Sequence, residues 1–477
     1  MRKTKIIATY GPAVASPSRL SQLAAAGVNV FRVNCAYGAA SDFVKAADMI
    51  RRSVARARFP VGLLFDIAGP KLRLERFDGK ISLKAGQTLK LTAGRADPKA
   101  RSVTVNQPAI ISSLKKGERV YIDDGSLAFD VTSAGRKWAT LKALDGGTLL
   151  PGKGINLPQS KINIPTLSEK DKEDIKTAIR VKADYIALSF VRSPDDVVQA
   201  RHIVESFGGD QRLIAKLEKR QAVEKLDEIV QAADGVMVAR GDLGVETPFA
   251  LLPRLQKRII ALANAQHKPA IVATQMLESM RFSARATRAE INDVASAVFD
   301  GADAVMLSAE TATGKYPLET VKTMDQVITA SEEDLRPPGS SAPPGPSTDI
   351  TGTIAEAVSR HDERAVKLIL AFTTSGRTAA AISCLFPMQP IVALTPGARV
   401  LTRLSLLRSV YPVRIEQPRS FEDMLATVQD VVSTYRLAGP RDKVIIAGGA
   451  PFGSTAPTNF MMLYEIGKRR KNARRQK

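Results

Sequence analysis

Lys216 and Glu218 stand two residues apart at the end of the apolar run Leu213 to Leu217, and Asp242 follows the next such run, Gly235 to Val238. A period of two puts Lys216 and Glu218 on the same side of an extended strand. Two carboxylates on neighbouring strand ends suffice for Mg2+, with Mn2+ as the alternative, because magnesium is usually held by one or two carboxylates plus substrate oxygens and water. An ammonium beside such an ion suits an oxygen on which negative charge develops. The stretch "ARGDLGVE" sets two glycines around Asp242 where a loop enters a helical turn, so Ala239, Arg240, Gly241 and Asp242 read as a pocket for a substrate anion. Arg32 and Arg73 offer planar donors that match phosphate oxygens. Lys153, in "PGKGINLP", is a further cation able to sit over a transferring phosphate.

Other polar groups fall at comparable places: Asn34, Asp66, Ser189, Thr274, Ser308 and Glu310 each follow an apolar run. Singly, each is explained by a salt bridge or a helix cap; their joint placement favours chemistry. A second anion signal lies far from these. "TTSGRT", Thr373, Thr374, Ser375, Gly376, Arg377 and Thr378, follows a strand and precedes a helix, the arrangement in which backbone N–H groups and hydroxyls form a phosphate nest. It lacks the spacing and lysine of a nucleotide P-loop, so it reads as a regulatory binding site, with an ordinary helix cap as the rival.

The elements that must hold these residues are short β-branched runs at Ile6 to Ala8, Val28 to Val33, Val61 to Phe65, Tyr185 to Phe190, Leu213 to Leu217, Gly235 to Val238, Ala270 to Thr274 and Ala304 to Leu307. Most are separated by helix-compatible segments. Eight βα repeats imply a closed parallel (β/α)8 TIM barrel, an α/β fold whose chemistry gathers where the strands end. The expected barrel comprises residues 1–70 and 167–335. Residues 71–166 switch to short strands and tight turns, which predicts a small β-barrel inserted as a lid. "RPPGSSAPPGPST" marks a linker over 336–348, and 349–477 reads as a separate C-terminal α/β domain.

Composition bounds the rest. A chain of 477 residues with 44% apolar content exceeds one core. Its two cysteines and three histidines are too scattered for a zinc or iron–sulfur site. The N-terminal apolar run is too short for a signal peptide, and no stretch approaches a membrane span, so a cytoplasmic location without membrane contact is expected. Net charge is +21, and "KRRKNARRQK" at the end carries seven cations, read as a solvated tail with nucleic acid not expected as partner.

These segments together resemble one family. "RKTKIIATYGPA", "GVNVFRVN", "GPKLR", "KGINLP", "VMVARGDLGVE", "ATQMLESM", "TRAEINDVASAVFDGADAVMLSAETATGKYP" and "TTSGRT" are similar to the motifs of pyruvate kinases, over essentially the whole chain. The resemblance implies transfer of the phosphoryl group of phosphoenolpyruvate to ADP, giving ATP and an enolate that is protonated to pyruvate. It implies Glu218 and Asp242 as ligands of a divalent ion, and Lys216 as the cation on the transferring phosphoryl group and enolate oxygen. Arg32 would bind phosphate, with Asn34, Arg73 and Lys153 around the nucleotide, while Thr274 and Ser308 would serve a proton relay. A phosphorylated allosteric effector would sit between the Thr373 to Thr378 loop and "GGAPFGSTAPTN", in a homotetramer.

Departures from the family pattern follow Asn34, Asp66 and Glu218. After Asn34 the usual Phe-Ser-His-Gly is Cys35-Ala36-Tyr37-Gly38; after Asp66 the usual Thr-Lys is Ile67-Ala68; after Glu218 the usual asparagine is Lys219. Lys71 stands where potassium-requiring relatives generally carry glutamate. The resemblance thus implies that Asn34, Asp66 and Lys71 form the monovalent-ion site or its replacement, and that K+ is not required. The rival readings are a non-catalytic phosphate sensor or nucleic-acid-associated protein, and a phosphoenolpyruvate/pyruvate-type barrel aldolase.

Overall fold

The computed structural model describes residues 1–160, 164–333, 349–360, 365–451 and 456–467. The expected linker, the basic tail and the centre of the 448–459 loop lie outside them. Strands β1 (Lys5–Thr9), β2 (Val30–Asn34), β3 (Gly62–Ile67), β4 (Tyr185–Leu188), β5 (Arg212–Leu217), β6 (Gly235–Ala239), β7 (Ala270–Ala273) and β8 (Ala304–Leu307) close into the expected parallel barrel, each paired with its chain neighbours and β8 with β1. Helices cover the outer face, so the strands are apolar and buried on both sides and read as continuous hydrophobic runs. Ile7, Val30, Leu64, Tyr185, Ile214, Met237, Ile271 and Met306 fill the interior as one cluster. Continuing by twos from Val30, Leu64 and Ile214 brings Arg32, Asp66 and Lys216 to the inner side at the C-terminal end.

The insertion after β3 wraps a six-stranded and a two-stranded sheet around its own core, including Leu89, Leu91, Val120, Phe129 and Leu141. Its entering and leaving segments run side by side: Leu74 N donates to Lys153 O at 2.8 Å and Ile155 N to Leu72 O at 2.9 Å. The junction with the barrel needs a glycine at 69. Gly69 has φ +64°, and a Cβ there would lie 2.8 Å from the Ser189 carbonyl oxygen. Its N–H donates to Asp171 Oδ1 at 3.0 Å, a carboxylate that also caps the helix Glu169–Arg180 just beyond the insertion.

The C-terminal domain carries four parallel strands, β9 (Leu368–Phe372), β10 (Ile391–Thr395), β11 (Val410–Arg414) and β12 (Lys443–Gly448), in the order β11-β10-β9-β12. A fifth, β13 (Phe460–Glu465), pairs antiparallel with β12 at the edge. The sequence reading has no strand there, because "FMMLYE" shows no polar alternation although its exposure alternates. This domain closes the floor of the barrel: Leu406 packs into the interior cluster, and Ser409 N donates to Lys3 O at 2.9 Å. No helix among the described residues is long and apolar enough to cross a membrane.

Candidate active site at the barrel rim

Six side chains from five strand ends meet inside the rim. Lys216 Nζ lies 3.1 Å from Asp66 Oδ1 and 2.9 Å from Glu218 Oε1, and donates to Ser189 Oγ at 2.7 Å. Asp66 Oδ2 takes Arg32 Nε at 2.7 Å, and Arg32 Nη1 donates to Thr9 Oγ1 at 3.0 Å. All six are buried. Burial alone would lower the proton affinity of Lys216, but the Asp66 and Glu218 carboxylates outweigh it and raise its pKa. Burial would raise that of Asp66, but Lys216 and Arg32 hold it below the ordinary carboxylate value. Lys216 and Asp66 are thus kept charged in a dry setting, where charge acts most strongly.

Glu218 differs. Its pKa is raised by burial, with the Asp242 charge adding to the effect against the pull of Lys216. A carboxylate whose proton affinity is raised beside a second carboxylate belongs to a donor set whose repulsion a hard divalent cation relieves. Among the described residues no group of three or more His, Cys, Asp or Glu forms a metal-type cluster.

Asp242 lies on the short helix Arg240–Glu246 that follows β6 directly. Lys71 Nζ, from the lid junction, reaches Asp242 Oδ1 at 3.3 Å. Gly241 N donates to Thr274 Oγ1 at 2.8 Å, so this one of the expected free amides already has a partner. Thr274 has φ +71° and Gln275 φ +55°, a left-handed pair; for a β-branched residue that is a strained outlier of the kind that gathers at functional sites. Arg240 braces this turn, donating to Thr274 O at 2.7 Å and pairing with Asp293 at 2.6 Å. Its guanidinium therefore serves the rim's architecture.

The remaining expected residues are more dispersed. Asn34 pairs across the sheet with Asp66, and its Oδ1 accepts from Ala36 N at 3.1 Å. Ser308 N donates to Glu310 Oε2 at 2.7 Å. Arg73 and Lys153 are held within the lid, by Gly152 O at 3.1 Å and by Asp123 Oδ1 at 2.8 Å. A cleft of about 630 Å³ separates lid residues Arg119, Tyr121 and Asp124 from Gly241 and Gln275. The C-terminal loop lines a separate cavity of about 280 Å³ with Thr373, Thr374, Ser375, Arg377 and Thr378. There Gly376 N donates to Thr373 Oγ1 at 2.8 Å, and Thr378 Oγ1 shares a hydrogen bond of 2.7 Å with Thr458 Oγ1.

Sequence reasoning missed Thr9, Phe190 and Glu246 as members of the rim. Thr9 is the inward continuation of Ile7 and was open to the same period-of-two reading; Phe190 and Glu246 had no signal of that kind.

Comparison with known proteins agrees with the geometry. The family model "Pyruvate kinase, barrel domain" matches residues 1–321, and "Pyruvate kinase, alpha/beta domain" matches 352–464. A pyruvate kinase of Geobacillus stearothermophilus is 38% identical over 98% of this chain and 80% of its own length. One of Methylorubrum extorquens is 38% identical over 97% of each. The crystal structure of a pyruvate kinase from Cryptosporidium parvum superposes with a TM-score of 0.90 at 34% identity, covering 98% of this chain and 96% of that one. With both domain types matched in order and full-length relatives well above 30% identity, this chain belongs to the pyruvate kinase family.

Proposed function

We propose that the rim transfers the phosphoryl group of phosphoenolpyruvate to ADP, giving pyruvate and ATP. The observation that carries this is the Lys216 ammonium, held charged and buried between Asp66 and Glu218. As the phosphoryl group leaves, negative charge builds on the enolate oxygen, and a preorganised ammonium stabilises it without reorganisation. Arg32, fixed by Asp66 and Thr9, presents its guanidinium to phosphate oxygens. Glu218 and Asp242 would hold Mg2+, or Mn2+, which supplies positive charge to substrate oxygens. Thr274, whose Oγ donates to Ala273 O at 2.6 Å in this state, and Ser308 serve the relay that delivers a proton to the methylene carbon. Arg73 and Lys153 meet the nucleotide phosphates, which requires them to exchange their contacts within the lid.

Lys71 takes the part of a monovalent ion. Its ammonium sits 3.3 Å from Asp242 Oδ1 and 5.8 Å above the Phe190 ring, a fixed positive charge beside the metal carboxylates. Ala36 and Ile67 offer no side-chain oxygen to an ion. A coupled assay of pyruvate formation from phosphoenolpyruvate, ADP and Mg2+ tests both readings. Turnover is expected, and replacing K+ by tetramethylammonium at constant ionic strength is expected to leave it unchanged. Turnover no greater than that of Lys216→Met overturns the first, and a strong K+ requirement overturns the second. A phosphorylated effector in the 280 Å³ cavity, a homotetramer and a cytoplasmic location complete the proposal, the last two on family likeness alone.

A further inference from the structure

Glu246 is buried next to the rim with no assigned role. Its side chain has no exposed surface, and Lys219 Nζ lies 2.6 Å from Oε1. Asn156 Nδ2, on the strand by which the lid returns to the barrel, donates to the same oxygen at 2.9 Å. Three separate parts of the chain meet at one carboxylate: the end of β5, the helix after β6, and the lid. Oε2 is buried without a hydrogen-bond partner, so the carboxylate depends on Lys219 and Asn156. A buried charge stripped of one partner is strongly destabilised, which makes the arrangement exacting about position.

The same helix is held a second time, one turn earlier. Asp242 and Glu246 are four residues apart, on one helical face, and bind Lys71 and Lys219 respectively. Both ammoniums lie over the Phe190 ring, at 5.8 and 5.7 Å. Phe190, at φ +59°, donates its N–H to Glu218 Oε2 at 2.6 Å. Each carboxylate expected to hold the metal is therefore tied to one assembly of Phe190, two lysines and two lid segments.

We propose that Lys219 is a positioning residue: with Glu246 and Asn156 it fixes the helix bearing Asp242 against the lid segment that carries Asn156, so that lid position sets the metal site. Movement of the lid withdraws Asn156 from Glu246 and Lys71 from Asp242 together. This rests on Glu218 and Asp242 being the metal carboxylates. Partners that orient metal ligands typically contribute 10–100-fold in affinity.

The test is Mn2+ binding to the full chain, followed by electron paramagnetic resonance without substrates, with hydrogen exchange measured over 153–157 and 240–246. Lys219→Gln is expected to weaken Mn2+ binding about tenfold and to speed exchange in both segments. Lys219→Arg should restore both, and saturating Mn2+ should recover kcat in Lys219→Gln. Asn156→Ala, which leaves the ion pair in place, should shift both readouts in the same direction by less. Wild-type Mn2+ binding in Lys219→Gln, with binding weakened in Asp242→Asn, overturns the positioning role alone. Unchanged binding in Asp242→Asn overturns the metal assignment and this proposal with it.

Discussion

At the rim of the barrel Asp66 and Lys216 are buried and charged; at the floor Lys5 and Asp303 are buried as deeply, and their proton affinities move the other way. Lys5 Nζ donates to Val410 O at 2.6 Å and sits 4.0 Å over the Tyr411 ring. Burial, helped by the charge of Arg2, pushes its pKa down to about 7. Asp303 accepts from Ala270 N at 2.9 Å and Arg408 N at 3.1 Å, yet burial pushes its pKa up to about 6. Depth does not decide the outcome. At the rim, opposite charges meet within hydrogen-bonding distance; at the floor, each charge is met chiefly by backbone dipoles and an aromatic face. The rim therefore holds its buried groups charged, and the floor joins two domains.

The contrast breaks most severely through catalysis. Lys216→Met is expected to lower kcat by at least about 100- to 1000-fold in the coupled assay, the scale of losing one preorganised electrostatic donor. Lys5→Met should leave kcat unchanged. Equal losses in the two variants would erase the distinction between the ends.

Stability sharpens it next. Asp66→Asn strips two buried cations of their shared counter-charge and is expected to cost about 3–5 kcal/mol, read as a lower thermal midpoint. Lys5→Met replaces a buried ammonium by an apolar chain of similar shape, and at pH 6 the midpoint should hold or rise.

The pH dependence gives the smallest effect and the clearest sign. Asp66, with its pKa depressed, contributes stability above the ordinary carboxylate value that is lost as pH falls through its folded value. Lys216, with its pKa raised, contributes below the ordinary lysine value and loses that contribution only as pH rises through its folded value. Between these extremes Glu218 is the exception at the rim: its raised pKa lets the folded chain bind an extra proton, so its contribution falls as pH rises above the ordinary carboxylate value. At the floor, the folded chain binds an extra proton at Asp303 between about 4 and 6, so stability falls as pH rises through that window. It lacks a proton at Lys5 between about 7 and 10, so stability rises there. Thermal midpoints should therefore increase from pH 7 to pH 9 in the wild type, and increase less over that range in Lys5→Met.

Much of the barrel was legible in the sequence because strands buried on both faces appear as apolar runs, and the inward period of two carries Ile214 to Lys216 and Glu218. Edge strand β13 was not legible, since Met461 and Leu463 are apolar yet exposed, and alternation of exposure leaves no trace in residue type. Lys219 appeared only as a departure from the family pattern. Its partner Glu246 is 27 positions away and Asn156 lies in a different domain, distances no local periodicity reports.

Composition and spacing alone determined that eight strands must share a buried interior and that ionisable groups must collect where those strands end, because burial and backbone geometry act residue by residue. Tertiary structure alone decided which of those groups remain charged. Asp66 and Lys216 owe their proton affinities to opposite charges brought from other strands, Lys5 and Asp303 owe theirs to burial at the floor that the C-terminal domain closes, and electrostatic energy depends on distance in space rather than along the chain.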